Sequence, residues 1–229
     1  MASKASWASV SLETAVLRSD SAKPSFYCRL GKRGFDLIAG LLLLVLAAPL
    51  ILVLALLVTA TSGFSPFYAA TRVGKDGLPF RMWKLRTMVK DADSHLRRWR
   101  DEQTQEAVEF NQRYKLRDDP RVTRLGRILR KTSLDELPQL LNVVRGEMSL
   151  VGPRPIVVDE LFQYGAEQGT LLSVRPGVTG LWQVKGRNAI DYPERAHLEL
   201  EYVDRLSLLE DMRLLALTAP IVLLKRNGV

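Results

Sequence analysis

The sequence is poor in the residues that build disulfide frameworks and metal centres. Its 229 residues include one cysteine, Cys28, and two histidines, His95 and His197, which lie far apart in charged stretches. A single cysteine excludes an intrachain disulfide and a cysteine-rich metal site. Residues 1–26 lack the short apolar core of a secretory signal and are rich in Ser and Ala, so we predict a flexible tail there.

Charge is absent from one long segment. No charged residue occurs from Leu37 to Ala60, and at about 1.5 Å per residue a helix of this length can cross a hydrocarbon core of roughly 30 Å. Pro49 lies near its middle and removes a backbone donor, which predicts a kink or a break. Because basic residues flank both ends, at 29–33 and 72–86, the positive-inside rule gives no direction. A kinked spanning helix and a re-entrant helix are both open.

The rest of the chain is strongly charged, with a net charge of +8. This favours anionic partners: phosphates, acidic lipid heads or nucleic acid. A membrane-anchored nucleic-acid binder is thus one alternative, but we find no nucleic-acid motif and no interleaved aromatic residues. A basic scaffold at the lipid surface, without catalysis, is the other alternative.

Local patterns predict several elements. Residues 64–88 alternate around a Gly-Lys-Asp-Gly turn, as in a hairpin, and residues 89–116 are typical of a long helix or helical excursion. The segment RPGVTGLWQV predicts a Pro-Gly turn that leads into a short strand. Residues 194–224 predict one or two amphipathic helices, the last interrupted by Pro220.

The segment RVTRLGRILRK at 121–131 has an arginine at every third position. On a helix, this spacing produces a basic stripe beside an apolar one. The stripes would be formed by Arg121, Arg124, Arg127 and Arg130 and by Leu125, Ile128 and Leu129. Such a helix can lie on anionic lipid heads, or one or two of its arginines can point into a phosphate site, and both can hold.

The densest pattern is KTSLDELPQLLNVVRGEMSLVGPRP at 131–155, which contains the adjacent carboxylates Asp135 and Glu136. A carboxylate can hold Mg²⁺ or attack phosphorus, while arginines neutralise phosphate oxygens. The surrounding cations are Arg130, Lys131, Arg145 and Arg154. The pattern therefore favours phosphoryl-group transfer.

Two plainer interpretations compete with this one. Ser133 and Glu136 match a capping box at the start of a helix, and Gly152-Pro153-Arg154-Pro155 can be an ordinary connecting loop. If the loop is functional, its prolines hold Arg154 on a stiff backbone. Pro138 is awkward inside a helix, so the helix is expected to start a residue or two later.

The segments KLRTM, DPRVTRLGRILRKTSLDELPQLLNVVRGEMSLVGPRP and RPGVTGLWQVKGRN, with the apolar segment and its central proline, resemble the bacterial sugar transferases. These are the monotopic phosphoglycosyl transferases, and the resemblance runs from about Tyr27 to the C-terminus. The family's apolar segment is re-entrant, which favours that path. Ala48 stands where family members commonly have Ser before the proline, and Leu206 lies where they have Trp.

The resemblance implies roles for the matching residues. Asp135 would attack the β-phosphate of a UDP-sugar, expel UMP and hold the sugar phosphate until a polyprenyl phosphate displaces it. Glu136 would deprotonate the acceptor or orient the metal. The implied cofactor is Mg²⁺ with Asp135 as its ligand, and phosphate or substrate would be bound by Lys84, Arg86, Arg130, Arg154 and Arg187. A ternary complex with Mg²⁺ as the main catalyst is the alternative mechanism.

We therefore predict an α+β, mainly helical protein: a re-entrant membrane helix hairpin plus a small cytoplasmic catalytic domain with interfacial amphipathic helices. The expected parts are a tail at 1–26, a membrane anchor at 27–62 broken at Pro49, and a catalytic domain at 63–229. The expected site of action is the cytoplasmic face of the bacterial inner membrane. Expected partners are a UDP-sugar, undecaprenyl or another polyprenyl phosphate and membrane lipid, with no nucleic acid, and a homodimer is an open alternative. The reaction would initiate exopolysaccharide, capsule or O-antigen-type glycan synthesis.

Overall fold

The computed structural model describes residues 27, 31–63, 65–113, 116, 118–186 and 190–224. The predicted tail at 1–26, and Cys28, lie outside these residues. The described part is mainly helical and contains two small two-stranded sheets. This confirms the expected α+β class.

Helix α1, Lys32–Ser62, contains the whole uncharged segment. Much of its apolar surface faces outward; Ile38 and Leu46 are 74% and 68% exposed. Within the described residues it is the one helix long and apolar enough to cross a membrane. The chain stays helical through Pro49, so the break predicted there is not an interruption of the helix. A proline removes one backbone donor, whereas the turns on either side keep their hydrogen bonds.

The predicted hairpin is present. Strands β1, Phe67–Val73, and β2, Pro79–Leu85, pair antiparallel over their full length. Their connection is a single 3₁₀ turn, Lys75–Gly77, in which Asp76 adopts a left-handed φ of 55°. Aspartate tolerates this conformation better than most residues with a β-carbon.

The helical excursion is two helices, α2, Ala92–Asp101, and α3, Gln105–Arg113. A single long helix was therefore wrong. Gln103 has a left-handed φ of 52°, a conformation that cannot continue a right-handed helix.

Helix α4, Arg124–Thr132, begins at Thr123, whose hydroxyl accepts a hydrogen bond from Gly126 N at 2.9 Å. Arg121 precedes the helix, so the predicted basic stripe is shorter than expected. After α4 come a 3₁₀ turn, Leu134–Glu136, and helix α5, Gln139–Arg145.

The capping box predicted for Ser133 and Glu136 is absent. Ser133 ends α4 in the left-handed region, with a φ of 58°, and its side chain makes no capping hydrogen bond. A capping residue needs an extended backbone so that its side chain can reach the first turn. Helix α5 instead begins after Pro138, as the proline led us to expect.

The C-terminal half contains a small parallel sheet. Strand β3, Ser149–Val151, pairs with β4, Gly177–Thr179. A 3₁₀ segment, Val158–Glu167, and helix α6, Gln168–Leu172, lie between them. Gly152 and Gly177 approach so closely that a β-carbon on Gly177 would lie 2.1 Å from Gly152 N, so the junction requires glycine.

Three helices complete the described part: α7, Leu181–Lys185, α8, Glu194–Asp204, and α9, Leu208–Leu224. The strand predicted over GVTGLWQV therefore ends at Thr179, and its remainder is helical. The two helices predicted within residues 194–224 are present, and α9 continues through Pro220, so the predicted interruption there is wrong.

The main core lies between the hairpin, α5, β3 and the three C-terminal helices. Its fully buried members include Val143, Met148, Val151 and Leu214. The start of α1 packs against α5, where a β-carbon at Gly40 would lie 2.9 Å from Val143 Cγ1. The end of α1, at Leu54 and Val58, packs in a second cluster with Leu85 and Leu129. Both ends of α1 thus contact the same folded unit.

The start of α1 is also held by a buried carboxylate. Asp211 of α9, which is 0% exposed, accepts hydrogen bonds from Lys32 Nζ at 2.6 Å, Tyr27 Oη at 2.5 Å and Tyr202 Oη at 2.7 Å. Three donors around one carboxylate offset the cost of burying it. Lys32, which was grouped with the basic flank, therefore faces the protein.

A second set of polar contacts lies one turn further along α1. Asp36 accepts hydrogen bonds from Ser149 Oγ at 2.9 Å and Leu150 N at 3.0 Å. Arg33 donates to two backbone carbonyls at the end of α5. These bonds fix the direction in which α1 leaves the folded unit.

Candidate active site

Asp135 lies in the 3₁₀ turn between α4 and α5 and is only 6% exposed. Burial raises the pKa of its carboxyl to about 6; Lys84 opposes this shift, Glu136 adds to it, and Arg130 opposes it. Among the described residues, Asp135 makes no direct ion pair. The site thus holds a buried carboxylate whose charge is only partly compensated.

Lys84, near the end of β2, joins the hairpin to this turn. Its Nζ lies 2.6 Å from Glu136 Oε1. Both side chains are partly exposed, so the pair is open to solvent and can exchange partners. The two predicted carboxylates therefore differ, because Glu136 is paired with a lysine and Asp135 is not.

Arg130 approaches from α4. Its Nε donates a hydrogen bond to Thr87 Oγ1 at 2.9 Å. Burial lowers the pKa of the Arg130 guanidinium, while the charges of Asp135 and Asp119 raise it. Arg130 is thus the second cation that acts on Asp135.

A buried ion pair lies behind Arg130. Arg121 donates to both oxygens of Asp119, at 2.8 Å from Nε and 2.7 Å from Nη2. The Arg121 guanidinium also faces the rings of Trp99 and Phe110, at 5.1 and 5.7 Å from their centroids. Burial tends to raise the pKa of Asp119, but hydrogen bonds from Arg121 lower it overall. Arg121 is therefore engaged in structure, not in the basic stripe.

The remaining basic residues of α4 lie in two different surroundings. Arg130 is half-buried beside Asp135, whereas Arg124, Arg127 and Lys131 are exposed. Ile128, on the exposed side, is 60% exposed, while Leu129 is 1% exposed. One arginine, Arg130, thus interacts electrostatically with Asp135, and the others form an exposed basic surface that includes Ile128.

Arg154 lies in a different cluster from Asp135. Its Nη1 is 3.8 Å from Glu160 Oε1, and its guanidinium faces the Trp182 ring at 5.7 Å. Arg195 faces the same ring at 4.4 Å. Burial and the charge of Arg154 lower the pKa of Arg72 on β1. The phosphate-binding role of Arg154 stays a prediction, and Arg72 is a neighbour that the motif analysis missed.

The other predicted site residues have separate surroundings. Arg86 Nε donates to the Ser65 carbonyl at 2.8 Å, and its guanidinium lies 5.9 Å from the Tyr68 ring. Arg145 is exposed at the end of α5. Arg187 lies outside the described residues. The structure thus brings Lys84, Arg130, Asp135 and Glu136 together, whereas Arg86 and Arg145 lie in other surroundings.

Asn142, which the motif analysis missed, aligns the two halves of the site. It is 0% exposed; its amide oxygen accepts from Trp83 N at 3.0 Å, and its amide nitrogen donates to Arg81 O at 2.8 Å and Glu147 Oε2 at 2.6 Å. These bonds attach α5 to β2 beside Lys84. The available signal was one amide in the otherwise apolar run LLNVV.

The residues present fit Mg²⁺ only together with a phosphate. Within the described ranges, no three His, Cys, Asp or Glu side chains converge as ligands. Mg²⁺ is usually held by one or two carboxylates together with substrate phosphates and water. Asp135, which lacks a direct ion pair, fits that arrangement better than Glu136.

A comparison with protein families identifies the group to which this site belongs. The model of the family described as "Bacterial sugar transferase" matches residues 27–225. The chain belongs to the bacterial sugar transferase family. The match includes the apolar helix as well as all four residues of the site, so the resemblance noted in the sequence is confirmed.

Several curated members of the family are similar to this sugar transferase. The exopolysaccharide production protein ExoY of Sinorhizobium fredii is 45% identical over 199 residues, which cover 87% of this chain and 88% of that protein. The undecaprenyl-phosphate galactose phosphotransferase of Salmonella typhimurium is 42% identical over 216 residues, 94% of this chain and 45% of that protein. The UDP-glucose:undecaprenyl-phosphate glucose-1-phosphate transferase of Caulobacter vibrioides is 39% identical over 226 residues, which cover 95% of this chain and 79% of that protein.

Proposed function

We propose that this sugar transferase moves a sugar-1-phosphate from a UDP-sugar to a polyprenyl phosphate such as undecaprenyl phosphate, releasing UMP. The observation that carries the proposal is the buried Asp135 carboxylate, whose pKa is raised by burial and on which the charges of Lys84 and Arg130 act. The names of the Salmonella and Caulobacter relatives support the acceptor, and that of the Caulobacter protein supports the donor. The sugar itself is left to experiment.

In the first step, a carboxylate oxygen of Asp135 attacks the β-phosphorus of the donor. The bond between that phosphorus and the oxygen bridging to the α-phosphate breaks, and UMP leaves with the electron pair. The product is a sugar phosphate bound to Asp135 as an acyl phosphate. Arg130 and Lys84 provide positive charge where the phosphoryl oxygens gain negative charge, which is the principal requirement of phosphoryl transfer.

In the second step, a phosphate oxygen of the polyprenyl acceptor attacks the same phosphorus. The acyl phosphate bond breaks, the Asp135 carboxylate is restored, and a polyprenyl diphosphate sugar is formed. Glu136 takes the acceptor's proton where the acceptor arrives protonated. Its pairing with Lys84 at 2.6 Å keeps this carboxylate at the mouth of the site.

Asp135 is the residue that would hold Mg²⁺, together with phosphate oxygens of the substrate. When bound, the ion would supply Lewis-acid stabilisation of the charge that develops on those oxygens. The protein's own contribution is to keep Asp135 buried and its compensating cations in place.

The location of α1 supports a membrane-surface enzyme. Its outward face is apolar, while both of its ends contact the folded unit that carries Asp135. A spanning helix would place its ends on opposite faces of the bilayer, about 30 Å apart. Contact of both ends with one unit instead favours a re-entrant path, with the site on the cytoplasmic face where a soluble donor and a lipid acceptor meet.

Cysteine labelling tests this path in intact cells. Cys28 reports on the start of the anchor, and Ser62→Cys in a Cys28→Ser background reports on its end. In intact cells, we expect an impermeant maleimide added from outside to label neither cysteine. After the cytoplasmic face of the inner membrane is exposed, we expect it to label both. Labelling of one residue from each face would establish a spanning helix.

The reaction is tested with purified full-length protein, undecaprenyl phosphate, Mg²⁺ and a panel of UDP-sugars, with UMP as the readout. We expect UMP release from at least one donor. A covalent route predicts that radiolabelled sugar phosphate stays on the protein when acceptor is omitted, and that Asp135→Asn carries no label. UMP release that requires acceptor from the first turnover would instead indicate a ternary complex.

A further inference from the structure

Thr87 contacts Arg130, the arginine whose charge acts on the Asp135 carboxylate. It follows β2 by two residues, is 7% exposed, and its hydroxyl accepts the hydrogen bond from Arg130 Nε at 2.9 Å. The two residues are 43 positions apart. The hairpin thus contributes two residues to the site: Lys84, which acts directly, and Thr87, which contacts Arg130.

The backbone of Thr87 is fixed by the start of the helix that carries Arg130. Its carbonyl accepts from Thr123 N at 3.0 Å. A β-carbon at Gly126 would lie 2.0 Å from that carbonyl oxygen, so only glycine permits this close approach. Since the carbonyl anchors the first turn of α4 and the hydroxyl meets Arg130 in its last turn, Thr87 sets the distance between the hairpin and the guanidinium.

The hydrogen bond to Thr87 uses Nε of Arg130 and leaves the two terminal Nη groups available. The Arg130 side chain makes no other hydrogen bond with a described residue, so its terminal N–H groups can meet phosphate oxygens. A guanidinium binds phosphate most effectively when two N–H groups engage it together, which requires a fixed plane. An acceptor at Nε fixes that plane.

We propose that Thr87 is a positioning residue, whose hydroxyl orients the Arg130 guanidinium toward the phosphoryl group transferred at Asp135. The inference rests on the proposed function, since it assigns Arg130 to the transferred phosphate. A simpler possibility is that the hydroxyl only stabilises packing of α4 on the hairpin. The two differ in what happens when Arg130 is already absent.

The test compares Thr87→Val and Thr87→Ser in the UMP assay. Valine keeps nearly the same shape without an acceptor, and serine keeps the acceptor. We expect Thr87→Val to lower kcat by about 10- to 100-fold, the usual range when a group that orients a functional residue is lost, with KM for the donor changed much less. We expect Thr87→Ser to recover kcat to within about threefold of the unmodified protein.

A double mutant separates positioning from packing. If Thr87 acts through Arg130, Thr87→Val combined with Arg130→Ala lowers kcat no further than Arg130→Ala alone. The matched control is Thr179→Val: Thr179 is 6% exposed and its hydroxyl pairs with Thr218 at 2.8 Å, so the variant loses a buried hydroxyl contact away from Asp135. We expect it to shift the melting temperature about as much as Thr87→Val and to leave kcat unchanged.

Several results would overturn the inference. An unchanged kcat in Thr87→Val, equal losses in the valine and serine variants, or full additivity with Arg130→Ala would each assign Thr87 to packing alone. If Thr87→Val does not fold, Thr87→Ala, which only removes atoms, replaces it in the same comparisons. No UMP from the unmodified protein with any donor would overturn the proposed function and this inference with it, whereas an active enzyme with a normal Thr87→Val variant overturns this inference alone.

Discussion

Asp135 and Asp211 are both buried aspartates of this sugar transferase, but their surroundings differ. Asp211, between α1 and α9, accepts hydrogen bonds from Lys32, Tyr27 and Tyr202. Asp135 has two cations in its vicinity and no direct ion pair among the described residues. The Asp211 carboxylate accepts three side-chain hydrogen bonds, whereas the Asp135 carboxylate has a backbone hydrogen bond and no side-chain ion pair among the described residues.

The difference has an energetic consequence. Burial raises the pKa of Asp135 above its usual value, so the folded protein disfavours the ionised form of this carboxyl. Such a group is a poor contributor to stability and a good candidate for reacting with, or binding, something brought from outside. A saturated buried ion pair acts in the opposite way, because breaking it leaves an uncompensated charge. Asp135 and Asp211 are both buried, so what separates the two carboxylates is the number of their partners.

Asp135→Asn has the largest expected effect. Removing the nucleophile should lower UMP release by about 10⁴-fold or more, as for other residues that carry the chemical step. The melting temperature should stay the same or rise, because the substitution removes a charge that burial disfavours. Both are measured on the same purified protein in one detergent. Retention of a tenth of the activity would show that Asp135 is not the nucleophile.

Asp211→Asn should show the reverse pattern. It leaves Lys32 without its charge partner, 2.6 Å away in the present structure, and we expect a loss of about 3 kcal/mol in the free energy of unfolding. The folded fraction should keep kcat within about threefold. Because Lys32→Met removes the stranded charge, the double variant should be less destabilised than the sum of the single ones. A large loss of kcat at unchanged stability would contradict the contrast between the two aspartates.

The sequence singled out Asp135 as a candidate site residue but gave no sign of the role of Asp211. Asp135 stands in a dense run of acidic and basic residues, and Pro138 marked where α5 begins, so both were visible locally. Two of the partners of Asp211 are distant in the sequence: Lys32 lies 179 positions away and Tyr27 lies 184 positions away. Periodicity and capping patterns describe single elements, and they do not say which elements pack together.

The same limit explains the misassigned residues. Arg121 matched the spacing of the α4 stripe, but the bidentate bond to Asp119 and the rings of Trp99 and Phe110 hold it elsewhere. Residues 89–116 were predicted to form a long helix or a helical excursion, and the left-handed backbone of Gln103, which its side chain does not predict, divides them into two helices. Thr87 lies within the segment KLRTM, but its hydrogen bond to Arg130 depends on a helix that begins 37 residues later.

The pH dependence of kcat/KM tests whether the reaction requires the ionised form of Asp135. The proposed nucleophile, Asp135, must be ionised to react, and burial raises its pKa to about 6, so we expect kcat/KM to be maximal above this value and to fall as the pH decreases through it. Lys84 is the main cation that lowers this pKa. Lys84→Gln should therefore move the acid limb to higher pH, with a loss of about tenfold in kcat/KM near neutrality.

Lys84→Arg is the matched control for that shift, because it keeps the charge. Its acid limb should stay near that of the unmodified enzyme even if its maximal rate is lower. The profile is measured with one donor across pH 5 to 8 in buffers of constant ionic strength, about 0.1 M. An acid limb that does not move in Lys84→Gln would mean that ionisation of Asp135 does not limit the reaction.

The smallest effect is expected for a third kind of carboxylate. Glu201 on α8 lies 3.2 Å from Lys185 Nζ and 2.9 Å from Arg205 Nη1, and all three side chains are partly exposed. Solvent screens such pairs, so Glu201→Gln should change the free energy of unfolding by less than about 1 kcal/mol and leave kcat unaltered. Denaturant unfolding at low and high salt checks this directly. A loss comparable to that of Asp211→Asn would show that the number of partners, without burial, is enough to make a carboxylate structurally important.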